Sequence, residues 1–131
     1  MVGAGVKVLI VEDDTDILSL FEAGLAMRGY SIEIARNGRD ALDHLASAEG
    51  LPAVIVADLH MPVMNGWQFL TALAEDPRLA GIPVIVLTAA DDPSQSAPRP
   101  PTVLIKPVAM DALASAISAA ASRGPSSPSV I

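Results

Sequence analysis

Short apolar runs rich in Val, Ile and other small residues recur along this chain, and a helical pattern follows almost every one. The runs are residues 6–11, 31–35, 53–57, 83–87 and 102–105. Runs of this length and composition read as strands. Residues 16–28 follow the first with helical spacing: Ile17, Phe21 and Leu25 share a face, and Gly29 stands where a helix stops. Residues 39–47 bring Leu42 and Leu45 together. Residues 67–75 place Trp67, Leu70, Leu73 and Ala74 on one side, and residues 110–122 form an Ala-rich helix carrying Leu113 and Ile117. Strand then helix, repeated, demands parallel strands joined by right-handed crossovers. Several strands are apolar on both faces, as when helices cover both sides of a sheet. The pattern predicts an open, doubly wound α/β domain. The 131 residues fall far short of the roughly 250 that a closed eight-fold barrel needs.

That length predicts one domain, residues 1–123, followed by a loose Pro/Ser-rich tail at 124–131 that cannot offset its ordering entropy. A second irregular stretch holds Pro93, Pro98, Pro100 and Pro101, and an ordinary helix cannot run through it. Eight basic residues against fifteen acidic ones leave a net charge of −7. That sign argues against a nucleic-acid partner and against an anionic membrane surface. The absence of cysteine excludes a disulfide scaffold, thiolate zinc sites and thiol nucleophiles. No signal-peptide layout opens the chain, and no uncharged apolar run is long enough for a membrane span, so a cytoplasmic location is expected.

In open parallel sheets, ligands bind outside the carboxyl ends of the strands. The first run ends in Glu12-Asp13-Asp14, the third in Asp58, the fourth in Thr88 and the fifth in Lys106-Pro107. Parallel strands would gather all of these at one edge. Two carboxylates ~4 Å apart repel by roughly 4 kcal/mol at an effective dielectric near 20, so such an edge usually holds a cation. Hard oxygen ligands without Cys suit Mg²⁺. Lys106 offers a point charge and Thr88 a hydroxyl to a phosphate group. An aspartate set between metal and ammonium can attack a phosphoryl group and become an acyl phosphate. Without metal, the crowded acids would penalise the fold, and Asp58→Asn would be expected to relieve it.

The segments Val8-Leu9-Ile10-Val11-Glu12-Asp13-Asp14, Asp58-Leu59-His60-Met61-Pro62-Val63-Met64-Asn65-Gly66, Leu87-Thr88-Ala89 and Ile105-Lys106-Pro107 resemble the receiver domain of two-component response regulators. The resemblance covers residues 6 to about 122. The ordered set is far more specific than any of its pieces. It implies a flavodoxin-like five-stranded sheet of order 2-1-3-4-5. By the same resemblance Asp58 is the phosphoacceptor, Asp13 a direct Mg²⁺ ligand and Glu12 its partner. The backbone carbonyl of His60 is a further ligand, and Thr88 and Lys106 grip the phosphoryl oxygens. The Lys106–Pro107 peptide is expected to be cis. The partners implied are a histidine kinase or phosphotransfer protein and a separate, unknown output protein. The chain would be no enzyme beyond its own phosphorylation and dephosphorylation.

Other residues have plainer readings. Asp14 is expected to cap the first helix, His60 to sit at the rim, and Met61 and Met64 to pack. Gly66 reads as a tight turn into the third helix, and Trp67 as a partly buried anchor. Two departures from the family stand out. Val103 replaces the aromatic residue usual three positions before the Lys. Thr88 and Lys106 are only eighteen residues apart, so the fourth helix is expected to be shortened or irregular. These departures motivate an alternative, a receiver-like interaction module that signals without phosphorylation. A haloacid-dehalogenase-type phosphatase also uses an Asp nucleophile after a strand. It needs a second Asp two residues on, where His60 stands, and a cap domain for which there is no room.

Overall fold

The computed structural model describes residues 6–47, 50–60, 63–88 and 102–123. The elements run β1 (Lys7–Val11), α1 (Thr15–Ala26), β2 (Ser31–Ala35), α2 (Gly38–Ser47), β3 (Val54–Asp58), α3 (Gly66–Glu75), β4 (Val84–Thr88), β5 (Thr102–Ile105) and α4 (Met110–Arg123). The five strands form one sheet in the order β2-β1-β3-β4-β5, with every neighbouring pair parallel. This is the doubly wound, flavodoxin-like architecture expected. The stretch where a shortened fourth helix was expected, 89–101, lies outside the described residues, as do Met61 and the tail at 124–131.

Strand sequence explains strand position. β3 is buried at all five residues, and β1 and β4 are buried from their second residue onward. β2 and β5, the two edges, are largely exposed or half-buried. Successive side chains point to opposite faces, so each central strand feeds two cores. Val8, Ile10, Val54, Val56, Ile85 and Leu87 pack under α1 and α4 against Phe21, Leu25, Leu113 and Ile117. Leu9, Val11, Ile55 and Ala57 pack under α2 and α3 against Leu45, Phe69 and Leu73. Each buried Leu, Ile or Phe contributes about 1.5–3 kcal/mol.

Helix ends follow their local chemistry. Asp14 caps α1, its Oδ1 accepting the Asp16 and Ile17 N–H groups at 2.9 and 3.2 Å. Gly29, at φ 91°, ends that helix in the left-handed conformation where glycine carries no steric penalty. The buried stripe of α3 differs from the expected one. Phe69 and Leu73 face the core with Gly66, while Trp67 and Leu70 are half-buried and Ala74 is exposed. The reason lies in Gly66, which is no turn residue. It opens α3 pressed against the end of β3, where a Cβ would fall 2.7 Å from both the Asp58 carbonyl oxygen and Leu59 Cα. That close approach sets the rotation of the helix. Its N–H donates to Leu59 O at 2.9 Å.

Candidate functional site

The parallel sheet brings the strand ends to one edge, as the sequence implies. Asp58 is the last residue of β3 and Thr88 the last of β4. Glu12 and Lys106 directly follow β1 and β5. The ladder continues through these positions: Glu12 N–H donates to Ala35 O at 3.0 Å, Leu59 N–H to Leu87 O at 3.1 Å and Lys106 N–H to Thr88 O at 2.8 Å. The site is therefore carried on the rigid sheet. The Lys106–Pro107 peptide is cis.

Lys106 reaches back across β4. Its Nζ donates to Asp58 Oδ2 at 2.7 Å and lies 3.7 Å from Glu12 Oε1. The other Asp58 oxygen, Oδ1, accepts the His60 N–H at 3.1 Å. Both Asp58 oxygens thus have a donor, and the carboxylate is fixed in orientation. Thr88 is fully buried, whereas His60 is exposed at the rim. Carboxylate oxygens of Glu12, Asp13 and Asp58 lie within 4.8 Å of one another.

The acidic pair splits in a way that residue type alone does not reveal. Asp13 is exposed, while Glu12 is only 1% exposed. Glu12 Oε2 accepts the Asp14 N–H at 3.1 Å. Glu12 Oε1 is buried with no hydrogen-bond partner among the described residues, since the ammonium at 3.7 Å is too far. Burial pushes the Glu12 carboxyl up to about 7. The Asp14 N–H pulls it down, the Asp58 charge adds to the rise, and Lys106 opposes it. Burial alone would lower the Lys106 ammonium. The hydrogen bond to Asp58 and the charges of Asp58, Glu12 and Asp13 outweigh it, and the pKa is raised. The lysine therefore stays charged through neutral pH.

A buried carboxylate oxygen lacking a donor, beside two further carboxylates, fits a small hard cation. The donor set is all oxygen, which suits Mg²⁺ over softer ions. Of the side chains expected at the site from sequence, Glu12, Asp13, Asp58 and Lys106 are gathered here, and Thr88 ends the neighbouring strand β4. Sequence reasoning missed Asn65, whose capping box with Gln68 anchors the loop after Asp58. An Asn followed three residues later by Gln is a readable capping signal. It also missed the close approach at Gly66, which no spacing rule announces.

This edge of a 2-1-3-4-5 sheet, with an aspartate clasped by a lysine beside an acidic pair, defines a receiver. The model of the response regulator receiver domain matches residues 8–118, and the chain belongs to that family. Response regulator Rre1 of Synechocystis sp. is 35% identical over 85 residues, which are 64% of this chain and 36% of that protein. Transcriptional regulatory protein PrrA of Mycobacterium tuberculosis is 39% identical over 83 residues, 63% of this chain and 34% of that protein. The chain thus spans about a third of the length of the curated relatives it matches. Among solved structures, the signal receiver domain of a signal transduction histidine kinase from Syntrophus aciditrophicus superposes with a TM-score of 0.82 at 31% identity. It covers 96% of this chain and 97% of its own.

Proposed function

We propose that this chain is a phosphorelay receiver that accepts a phosphoryl group on Asp58 and signals to a separate protein. The observation that carries this reading is the 2.7 Å contact of Lys106 Nζ with Asp58 Oδ2 beside the three-carboxylate cluster. The donor is a phosphohistidine on a histidine kinase or phosphotransfer protein. An Asp58 oxygen attacks phosphorus; an O–P bond forms, the donor's N–P bond breaks, and the electron pair leaves on the imidazole nitrogen, which is then protonated. The His60 N–H holds the carboxylate in place during attack. Lys106 neutralises charge on the phosphoryl oxygens, and the Thr88 hydroxyl donates to one of them. Mg²⁺, held by Glu12, Asp13, Asp58 and the His60 carbonyl, would supply the remaining positive charge. Catalysis extends only to the chain's own phosphorylation and dephosphorylation.

The net charge of −7 supports protein partners over nucleic acid for this domain. Among the described residues no helix is long and apolar enough to cross a membrane; the cytoplasmic location we propose rests on membership of the receiver family. Val103, in the aromatic position, pairs with Val86 across β4–β5 and is 38% exposed. No ring there can swing inward with Thr88. Output then differs from the family's usual route. The test is incubation with acetyl phosphate and Mg²⁺, followed by intact-mass measurement. One added phosphoryl group, absent in Asp58→Asn, is expected. No incorporation at saturating Mg²⁺ would refute the proposal and favour the alternative, an interaction module whose partner binding survives Asp58→Ala.

A further inference from the structure

β2 is an edge strand, and the backbone groups on its outer side meet no partner among the described residues. The Ser31 N–H donates to Val6 O at 2.8 Å, and Ala35 O accepts the Glu12 N–H at 3.0 Å. In a parallel ladder that phase turns residues 31, 33 and 35 toward β1 and residues 32 and 34 away from it. The N–H and C=O groups of Ile32 and Ile34 are therefore open. The open stretch is bounded at both ends. The Tyr30 N–H donates to Leu25 O at 3.2 Å, and the Arg36 N–H to Asp40 Oδ2 at 3.2 Å. Natural edge strands are guarded by proline, by a bulge or by charged side chains. β2 reads Ser-Ile-Glu-Ile-Ala, and its register with β1 is unbroken. Its one charge, Glu33, is met by Lys7 Nζ at 3.5 Å and His44 Nε2 at 2.8 Å. On the other face Ile32 packs on the core, while Ile34 is 43% exposed.

We propose that β2 pairs antiparallel with β2 of a second copy of the chain, about a two-fold axis at Glu33, so that two sheets join into one. Ile32 of each copy exchanges both backbone hydrogen bonds with Ile34 of the other, which uses every open N–H. Shifting the register by two residues would put Arg36 or Tyr30 into one of those pairs, and their N–H groups are already engaged. Ile34 of each copy then covers Ile32 of the other. On the opposite face two Glu33 carboxylates meet two Lys7 ammonium groups, so the centre is balanced in charge with His44 neutral. Arg36 falls opposite the uncharged Tyr30. A foreign extended segment could make the same bonds only after being ordered, whereas a second β2 is already held as a strand by its own sheet. That preorganisation selects a second copy. A strand pair this short belongs with transient interfaces under about 1,200 Å², so it forms at high protein concentration. It is read without phosphorylation and stands or falls apart from the chemistry proposed for Asp58.

The test is sedimentation velocity and amide hydrogen exchange on the full, unphosphorylated chain from about 10 μM to about 1 mM. A rise toward the dimer mass is expected, with exchange at Ile32 and Ile34 slowing as concentration rises. Ile34→Lys should stay monomeric, its circular dichroism and acetyl phosphate labelling matching the wild type. The chain has no cysteine, so Glu33→Cys can form a disulfide only with the same position of another copy. The axis brings those two Cα atoms to about 4.5 Å, within disulfide reach. Under mild oxidation Glu33→Cys should cross-link about tenfold faster or more than Glu22→Cys, at an exposed position of α1. A monomer throughout, association undiminished in Ile34→Lys, or equal cross-linking at the two positions would each overturn the proposal. So would slowed exchange at Ile32 and Ile34 that appears only when an extended peptide of alternating Ile and Lys is added, which would assign the edge to a foreign segment.

Discussion

Glu12→Gln asks how the fold tolerates a buried carboxylate whose Oε1 has no donor among the described residues. Gln keeps the shape and removes the charge. In the wild-type protein the carboxyl titrates near 7 when folded, against an ordinary value of 4.5. Between those values the folded state binds more protons than the unfolded one. Stability therefore falls as pH rises through this window. The contribution is intact below about 4.5 and lost above about 7. At 1.36 kcal/mol per pH unit, the gap is worth on the order of 3 kcal/mol. The assay is urea unfolding followed by far-UV circular dichroism, in EDTA, at pH 5 and pH 8. The two proteins should be nearly equal at pH 5, and the variant should be more stable by on the order of 3 kcal/mol at pH 8. Taking the difference between variants cancels the other carboxylates. A constant difference across pH, or a wild type more stable at pH 8, would refute the argument that the Glu12 charge is poorly compensated. Sequence reasoning spread the strain over Glu12, Asp13 and Asp58, and the structure adds that Glu12 is the one with a buried oxygen that no donor meets among the described residues. Asp58 has Lys106 in contact.

Three further outcomes follow from the same geometry. Mg²⁺ at about one hundred times its Kd should stabilise the wild type by about 2.7 kcal/mol and Asp58→Asn by less, read as melting shifts; equal shifts would mean Asp58 is no ligand. Gly66→Ala should cost about 1–3 kcal/mol in urea unfolding and slow acetyl phosphate labelling, because its Cβ meets the Asp58 and Leu59 main chain at 2.7 Å. Asp14→Ala should cost about 1 kcal/mol through the lost cap while leaving the labelled residue unchanged.

Much of the fold was legible because its cause is local. β-Branched runs bounded by helical patterns leave parallel strands little alternative, and the strand ends then select Glu12, Asp58, Thr88 and Lys106. Which strands form the edges came from the resemblance to the receiver family, which implies the order 2-1-3-4-5. Other features depend on contacts distant in sequence. Apolar spacing suggested Trp67 and Ala74 for the α3 stripe, but Gly66 against Leu59 turned Phe69 inward instead. Nothing in Glu12-Asp13 tells which acid is buried. That follows from where the chain leaves β1 and where Lys106 arrives from β5. The positive φ of Val63 has no counterpart in the sequence, because φ is not written in residue type.

The contact between Gly66 and the end of β3 makes the Asp58–Leu59 main chain and the first turn of α3 one mechanical piece. Trp67, the chain's single tryptophan, is the next residue and half-buried. A displacement of the Asp58 main chain is thereby delivered to an indole one residue away. The molecule carries its own optical gauge, and its fluorescence should follow occupancy of the site without any added label.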